Sequence, residues 1–267
     1  MYSQFAYVYD RLMGDIPYDR FAAWIEESLV FLGCTPSTIL DLGCGTGAMF
    51  DAMMRLSRQV IGIDPSSEML AVASEKAITY GQRITLMQGD ATTFRVPRKG
   101  DACIAICDVF NYLLDMQPLQ TAFSRVKASL KDDGLFFFDM HTLHKIHDVL
   151  GNNVYYEADD DAIMLMQTHV EEETSTVNYS LMLFLQEADG RYRLEEESHQ
   201  QRAYPLEGIL QALKEAGFRE VYIGADFSFP WSQNLMNTND KENSFHVTRL
   251  YDESDEKQFS RWQFLAR

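Results

Sequence analysis

Apolar positions along the chain follow two periods in alternation. Phe21, Trp24, Ile25, Leu29 and Leu32 recur every three or four residues and predict a helix over 21–32. TILDLG (38–43) is then a short unbroken apolar run ending in glycine, and a helix-compatible stretch from Ala48 to Leu56 follows it. The runs QVIGID (59–64), ITLMQGD (84–90), DACIAICD (101–108) and GLFFFDM (134–140) repeat the theme. Ser66 or Ser67 can cap a helix reaching Tyr80, with Glu68 in its first turn. Pro118 opens a further helix with Leu119, Phe123, Val126 and Leu130 on one face, closed by Asp133-Gly134. The runs are continuous rather than alternating, so each strand buries both faces, as in a parallel sheet covered by helices on both sides. Strand and helix in this order predict a doubly wound α/β domain.

Near residue 150 the pattern changes. Val154–Glu157, Ala162–Glu171, Thr176–Leu185 and Tyr192–Arg202 read as β segments, with GNN, DDD, EEETS and EADGR as turn-type breaks. No helix separates them, which predicts an antiparallel meander inserted into the α/β domain. Helical period returns after Pro205, with Leu206, Ile209, Leu210 and Leu213 on one face and Gly217 as a C-cap. REVYIGA (219–225) and RWQFLA (261–266) read as strands, and the polar, acidic stretch 226–257 as a long loop. The expected plan is a core of residues 1–150 and 204–267, opening on a helical lid over 1–35, with an antiparallel cap at 151–203.

Composition narrows the function classes. Apolar residues make up 46% of 267, enough for a buried core in one large domain or in one domain with an insertion. Lys and Arg number 23 against 40 Asp and Glu, a net charge of −17. That balance disfavours sequence-blind nucleic-acid binding, which needs cations to displace phosphate counterions. It equally disfavours docking on anionic lipid. No apolar run approaches the roughly 20 residues of a membrane span. MYSQFAYVYDRL shows no basic region followed by an apolar core, so no signal peptide is read. Cys34, Cys44, Cys103 and Cys107 have no paired zinc spacing, and the last two, inside an apolar run, read as core thiols. A reduced, cytoplasmic protein with no metal is expected.

The acid is not spread evenly. Residues 157–200 carry a net −10 and residues 226–256 a net −5, leaving −2 for everything else. Such charge can attract a cationic amine or a basic protein, or it can simply solvate exposed hairpins.

The sharpest chemical feature is ILDLGCGTG (39–47), a buried strand running into Gly43, Gly45 and Gly47 and then a helix. Glycines there permit positive φ and let the backbone approach a ligand at the carboxyl end of the first strand. Asp64 follows at the end of the second strand, where a carboxylate can accept both hydroxyls of a ribose. Asp90, after the third, can accept from an adenine amine with Ala91 beside the ring. Asp108 ends the fourth, before the candidate substrate pocket. An Asp at a strand end often just caps the next helix, but a run of them at successive strand ends behind a glycine loop is a stronger signal. A dehydrogenase would show G-x-G-x-x-G, and here the third glycine comes one residue early.

These residues resemble the class I S-adenosylmethionine-dependent methyltransferases, whose first motif DLGCGTG (41–47) matches almost letter for letter. The resemblance is strongest over 36–140 and resumes at 204–223 and in the last strand. It implies a seven-stranded Rossmann-like sheet with S-adenosylmethionine as cofactor. It further implies a methionine pocket of Asp41, Gly43, Cys44, Gly45 and Gly47, with Asp41 near the ammonium end. Asp64 falls to the ribose and Asp90 with Ala91 to the adenine, while Pro65, Met69, Asp108 and Tyr9 complete the cofactor surroundings. In small-molecule members an N-terminal segment lies over the cofactor. Phe5, Tyr7, Tyr9 and Tyr18 can play that part or can be ordinary packing, and a layout with an antiparallel insert is similar to that of sugar N-methyltransferases.

Methyl transfer needs an acceptor lone pair in line with the sulfonium, about 3 Å from the methyl carbon. Candidates to serve the acceptor follow the fourth and fifth strands: Asp108, Asn111, Tyr112, Asp139, His141 and His144, with His199 near the insert's end. Asp108, Tyr112 and His141 are the candidate catalytic set, a histidine near neutral pKa suiting base work. His144 and His147 stand at helical spacing, but without a grouped carboxylate they read as a solvated face. Asp108-Val109-Phe110-Asn111-Tyr112 lacks the Pro-Pro-aromatic motif of base amino-methyltransferases, and no Pro-Cys is present for cytosine-carbon transfer. The expected acceptor is therefore the nitrogen or oxygen of a small molecule. Two alternatives stay open: methylation of RNA or protein through a docking partner, and a non-catalytic protein that only holds the cofactor. The oligomeric state is not legible, a dimer included.

Overall fold

A computed structural model describes residues 5–228, 245–251 and 257–267 of the chain. Helices α1 (Phe5–Leu12) and α2 (Tyr18–Phe31) precede the first strand. The core then runs β1 (Thr38–Leu42), α3 (Phe50–Leu56), β2 (Gln59–Asp64), α4 (Ser67–Ala77), β3 (Ile84–Gln88), β4 (Gly100–Ala105), α5 (Met116–Ser129) and β5 (Leu130–His141). Four strands follow without an intervening helix: β6 (Val154–Ala158), β7 (Ala162–Glu171), β8 (Thr176–Gln186) and β9 (Tyr192–Arg202). The chain returns through α6 (Leu206–Glu215), β10 (Glu220–Ala225), β11 (His246–Arg249) and β12 (Arg261–Ala266).

Two sheets result. The larger has the order β11-β10-β12-β5-β4-β1-β2-β3, and the smaller is the meander β6-β7-β8-β9. In the larger, β12 runs antiparallel to both neighbours, β5 and β10, and every other pairing is parallel. The strand order reverses between β1 and β4, so a crevice opens beyond their carboxyl ends, where ligands bind in open α/β sheets.

The inner strands β1, β2, β4 and β12 bury both faces, as their unbroken apolar runs predict, as does β5 from Gly134 on, whereas the edge strands β3 and β11 stay partly exposed. In β5, Phe136, Phe138 and Met140 pack with Leu119, Phe123 and Val126 of α5 and Ile209 and Leu213 of α6. The alternate residues Leu135 and Phe137 pack with Phe21, Trp24 and Ile25 of α2 and Phe50 and Met53 of α3. The stacked rings of Phe136, Phe138 and Phe264 carry the first of these cores across β5 and β12.

Several boundaries differ from the sequence reading. The larger sheet has eight strands rather than seven. The extra edge strand β11, parallel to β10, lies within the stretch read as loop. HVTR is too short and polar to announce a strand by its pattern, and the pairing comes from β10. The remainder of that loop reading, at 229–244 and 252–256, lies outside the described residues. Helix α5 begins two residues before Pro118, its N-cap position being Asp115, and it ends at Ser129, well ahead of Asp133-Gly134. Strand β4 stops at Ala105, so Cys107 and Asp108 belong to the turn after it. Cys107 is half-buried there rather than a core thiol.

Helix α1 joins the two sheets. Its Phe5, Val8 and Leu12 pack on Ala162, Met164, Leu181 and Leu183 of the meander. Arg11 pairs with Asp159 at 3.2 Å and Asp161 at 2.7 Å in the β6–β7 turn. On the other side Asp10 accepts from Thr46 Oγ1 at 2.6 Å and from Lys76 Nζ at 2.5 Å, tying α1 to the glycine loop and to α4.

Candidate functional site

The loop after β1 is shaped by its glycines. Gly43 and Gly47 hold φ of 75° and 76°, and a Cβ on either would lie 2.4 Å from a side chain, Val109 or Phe50. Gly45, at φ 52°, has nothing within 4 Å of where a Cβ would stand, so the crest of the loop faces open space. Gly43 N and Cys44 N donate to Ile63 O, which ties the loop to β2, and Cys44 itself is buried.

Two carboxylates flank this loop. Asp64 ends β2 with Oδ2 accepting from Gly45 N and Oδ1 from Ser66 N, both at 2.9 Å. Each oxygen keeps a second lone pair for a ligand hydroxyl. Burial raises the Asp64 pKa, and the two backbone donors resist the rise. Asp41 is 3% exposed, and its Oδ2 has no hydrogen-bond partner among the described residues. Burial, with the Asp64 charge adding to it, pushes the Asp41 carboxyl up to about 8. An orphaned buried carboxyl beside an open glycine crest is an incomplete arrangement. A ligand with a cationic ammonium for Asp41 and vicinal hydroxyls for Asp64 would complete it, and S-adenosylmethionine carries both.

The outer positions vary. Ser66 caps α4 by accepting from Met69 N at 3.1 Å, with Met69 buried beneath and Pro65 exposed above. Asp90 is exposed and accepts from Thr92 N at 2.8 Å in a local turn, with Ala91 half-buried beside it. Of the N-terminal aromatics, Phe5 is buried against the meander and Tyr9 packs edge-on to it at 5.2 Å. Tyr7 is 60% exposed. Tyr18 is half-buried and packs against the core on the α2 face of the sheet. Burial raises its pKa, and the charges of Cys107, Asp10, Asp41 and Asp108 add to the rise.

That turn is strained. Cys107 and Asp108 adopt φ of 65° and 56°, a left-handed conformation costly for residues with a Cβ. It aims Asp108 into a buried polar cluster drawn from four stretches of chain. Gln201 Nε2 of β9 donates to Asp108 Oδ2, and Arg261 at the start of β12 lies 3.4 Å from Asp108 Oδ1. Arg261 also pairs with Asp139 of β5, which accepts from Asp108 N at 3.3 Å. His141 Nε2 is 3.6 Å from Asp108 Oδ1, and its Nδ1 is buried with no partner among the described residues.

Charge sets the protonation here. Burial opposes ionisation of Asp108, but His141, Arg261 and the Gln201 amide outweigh it and hold the carboxylate below its ordinary range. Burial pushes Asp139 up to about 6, with Arg261 resisting and the Asp108 charge adding. Burial pushes the His141 imidazole down to about 4 against the pull of Asp108, so it is neutral at pH 7.

Other candidates are structural ties. Asn111 is fully buried, accepting from His141 N at 2.9 Å and donating to Arg202 O at 2.7 Å. His144 pairs with Asp148, and His147 bridges Glu172 and Ser175. Each therefore has a carboxylate that the sequence reading did not see. No group of three or more His, Cys, Asp or Glu that could hold a metal occurs among the described residues. Tyr112 stands 38% exposed in the turn after β4, edge-on to His199 of β9 at 6.3 Å. Alternation along β9 puts Glu195, Glu197, His199 and Gln201 on one face of the strand, the face that meets Asp108.

Sequence reasoning missed Arg261 and Gln201. Arg261 was visible only as the polar first residue of an apolar run. Gln201 sits in an acidic, polar strand whose inward face nothing in its composition marks.

Comparison with known proteins agrees with the fold. Residues 39–134 match the methyltransferase-domain family. The chain is 32% identical over 228 residues to a protein named as a methyltransferase in Geobacillus sp. (strain WCH70), covering 85% of this chain and 92% of that one. It is 33% identical over 229 residues to YqeM of Bacillus subtilis (strain 168), also named as a methyltransferase, covering 90% of that protein. The solved S-adenosylmethionine-dependent methyltransferase of Clostridium acetobutylicum superposes with a TM-score of 0.78 at 25% identity, over 99% of this chain and 97% of that one. The chain thus belongs to the class I S-adenosylmethionine-dependent methyltransferases. It is an enzyme with S-adenosylmethionine as its cofactor. No helix among the described residues is long and apolar enough to cross a membrane.

Proposed function

We propose that this enzyme methylates the nitrogen or oxygen of a small molecule held between the large sheet and the meander, with an amine nitrogen the better match. The observation that carries this reading is the meeting of Asp108 and Gln201. It joins the turn after β4 to the inner face of β9 and so makes the acidic meander one wall of the acceptor space. Glu195 and Glu197 share that face with Arg193 and His199, which pair with them, so the wall is polar and favours a hydrogen-bonding acceptor over an apolar one. Two structural neighbours add support: the sugar N-methyltransferase KedS8 of Streptoalloteichus (TM-score 0.69) and the amino pentose methyltransferase CalS10 of Micromonospora echinaspora (TM-score 0.69) share the architecture at 19% and 16% identity.

In this reading residues 151–203 form the cap, and residues 1–150 and 204–267 form the cofactor-binding core. Asp41 takes the ammonium of the cofactor, and the backbone of Gly43, Cys44, Gly45 and Gly47 lies along its methionine portion. Asp64 takes the ribose hydroxyls, and Asp90 and Ala91 flank the adenine. Pro65, Met69 and Tyr9 line the rim. When bound, the cofactor supplies an electrophilic methyl group on a sulfonium sulfur. Asp108, being ionised, orients the acceptor and offsets the positive charge that builds on it as its bond to the methyl carbon forms and the carbon–sulfur bond breaks, the sulfur leaving as a neutral thioether. His141, neutral, accepts a hydrogen bond from the acceptor, and the proton the methylated product loses passes to water. Tyr112 closes the open side. Arg261 keeps Asp108 charged and aimed.

Transfer of labelled methyl groups to pools of amines, amino sugars, hydroxy metabolites, transfer RNA and proteins tests the reading. Transfer to amines or amino sugars is expected, with Asp108→Asn lowering turnover about a hundredfold while cofactor affinity stays unchanged. Transfer only to transfer RNA or protein would overturn it.

A further inference from the structure

A second cavity lies at the opposite end of the sheet. It is an open surface pocket of about 430 Å³, lined by Phe94, Arg95, Val96, Pro97, Arg98 and Lys99 of the loop before β4, and by Arg125, Ala128 and Ser129 of α5. The glycine loop and Asp108 stand at the carboxyl ends of the strands, whereas this loop enters β4 at its amino end, Gly100. Six residues of strand separate the two ends by roughly 20 Å. The cavity is therefore no part of the cofactor or acceptor space.

Its lining is unusual for this protein. The chain carries 23 Lys and Arg against 40 Asp and Glu, yet four of its cations converge here. None of the four makes a side-chain hydrogen bond or ion pair with a described residue, whereas Arg11, Lys76, Lys131, Arg191, Arg193 and Arg267 all pair with carboxylates. More positive charge surrounds them. Lys127 is lowered first by burial and then by the charges of Arg219 and Lys99, with Asp132 and Asp133 partly offsetting. The carboxyl-terminal turn of α5 accounts for Lys127, which complements the helix dipole. It does not account for Arg95, Arg98 and Lys99, which a separate loop brings to the same space.

We propose that this cavity is a binding site for a phosphate-bearing small molecule, its pyrophosphate or polyphosphate group held by Arg95, Arg98, Lys99 and Arg125. Guanidinium groups offer paired donors that match phosphate oxygens, and Arg125, half-buried, supplies the fixed member of the set. Three loop residues and one helix residue form a pocket of restricted size, which suits a small molecule better than the extended track a nucleic-acid backbone needs.

Isothermal titration calorimetry of the full chain with pyrophosphate, tripolyphosphate and a single-stranded RNA oligonucleotide, at about 50 mM salt, tests the proposal. Pyrophosphate or tripolyphosphate is expected to bind saturably below about 1 mM, more weakly as salt rises. Arg125→Glu should weaken that binding at least roughly tenfold, and the exposed Arg98→Glu, which leaves packing untouched, by a similar factor. S-adenosylmethionine affinity, measured on the same samples, should not change in either variant. No saturation below that concentration, binding indifferent to both substitutions, or binding of RNA without either phosphate compound would overturn it.

Discussion

In the proposed reading the cofactor cradle and the acceptor cluster are neighbours on the same sheet, the first at the ends of β1 and β2 and the second at the ends of β4 and β5, yet they are built differently. The cradle comes from one short segment, Asp41 to Gly47, plus Asp64 on the adjacent strand, and backbone groups do most of its holding. The acceptor cluster comes from Asp108, Asp139 and His141, Gln201, and Arg261, spread across 154 residues and held by side chain on side chain. A backbone-built site depends on local conformation and so tolerates change elsewhere. A site of interlocked buried charges depends on every partner, because removing one leaves the others without compensation. The first should fail in binding, the second in folding.

The largest expected effect is on the cradle. Asp64→Ala removes a carboxylate that fixes Gly45 N and Ser66 N and, in the proposed role, receives the ribose. Losing charge-assisted hydrogen bonds of about 1.5–3 kcal/mol each predicts a fall in cofactor affinity on the order of a thousandfold. Calorimetric titration with S-adenosylmethionine checks this, and thermal unfolding of the same variant should change by only a few degrees. Unchanged affinity would remove Asp64 from the cofactor site.

Arg261 should behave the opposite way. Arg261→Met leaves Asp108 and Asp139 facing each other in a buried space, which predicts a loss of about 3–5 kcal/mol. For a chain of this size that is a fall in Tm of about 10 °C. Arg261→Met with Asp139→Asn should recover part of the loss, since the stranded charge is gone. Cofactor affinity of the variants below their Tm should stay near that of the parent. A stable Arg261→Met protein would show the cluster to be less interdependent than its contacts imply.

The same contrast explains what the sequence disclosed. DLGCGTG and the terminal Asp of β2 were legible because glycine spacing and strand ends are local properties, and local properties leave a pattern. The strands and helices that place them were legible for the same reason, since a continuous apolar run has one structural meaning when helices flank it. Asp108, Tyr112 and His141 could be proposed from their positions after β4 and β5. Their partner Arg261 could not, because its antiparallel strand meets β5 only through long-range pairing, with Arg261 opposite His141. Gln201 was hidden likewise: alternation along β9 separates its inner from its outer face, but nothing in the acidic string EEESHQQR says which face is inner. The left-handed turn at Cys107 and Asp108 was hidden too, because neither residue is a glycine.

Asp41 carries the smallest expected effect, and it belongs to both kinds of site. It sits in the motif, yet it is a buried carboxyl whose Oδ2 has no partner among the described residues. Its folded pKa of about 8 lies above the ordinary carboxyl value of 3.8. The unfolded chain therefore holds fewer protons than the folded one between those values, and stability falls as pH rises through that window. Asp41→Asn removes this penalty and should raise Tm by a few degrees at pH 8, with little change at pH 4. The cofactor's ammonium favours the ionised carboxylate. Binding to the parent protein at pH 7 should thus release a proton, and affinity should climb with pH and level off above about 8. Calorimetry in two buffers of different ionisation enthalpy measures that proton. In Asp41→Asn the release should vanish and affinity should fall about tenfold. If the variant binds as tightly as the parent and releases the same proton, the ammonium lies elsewhere and the orphaned oxygen of Asp41 serves another purpose.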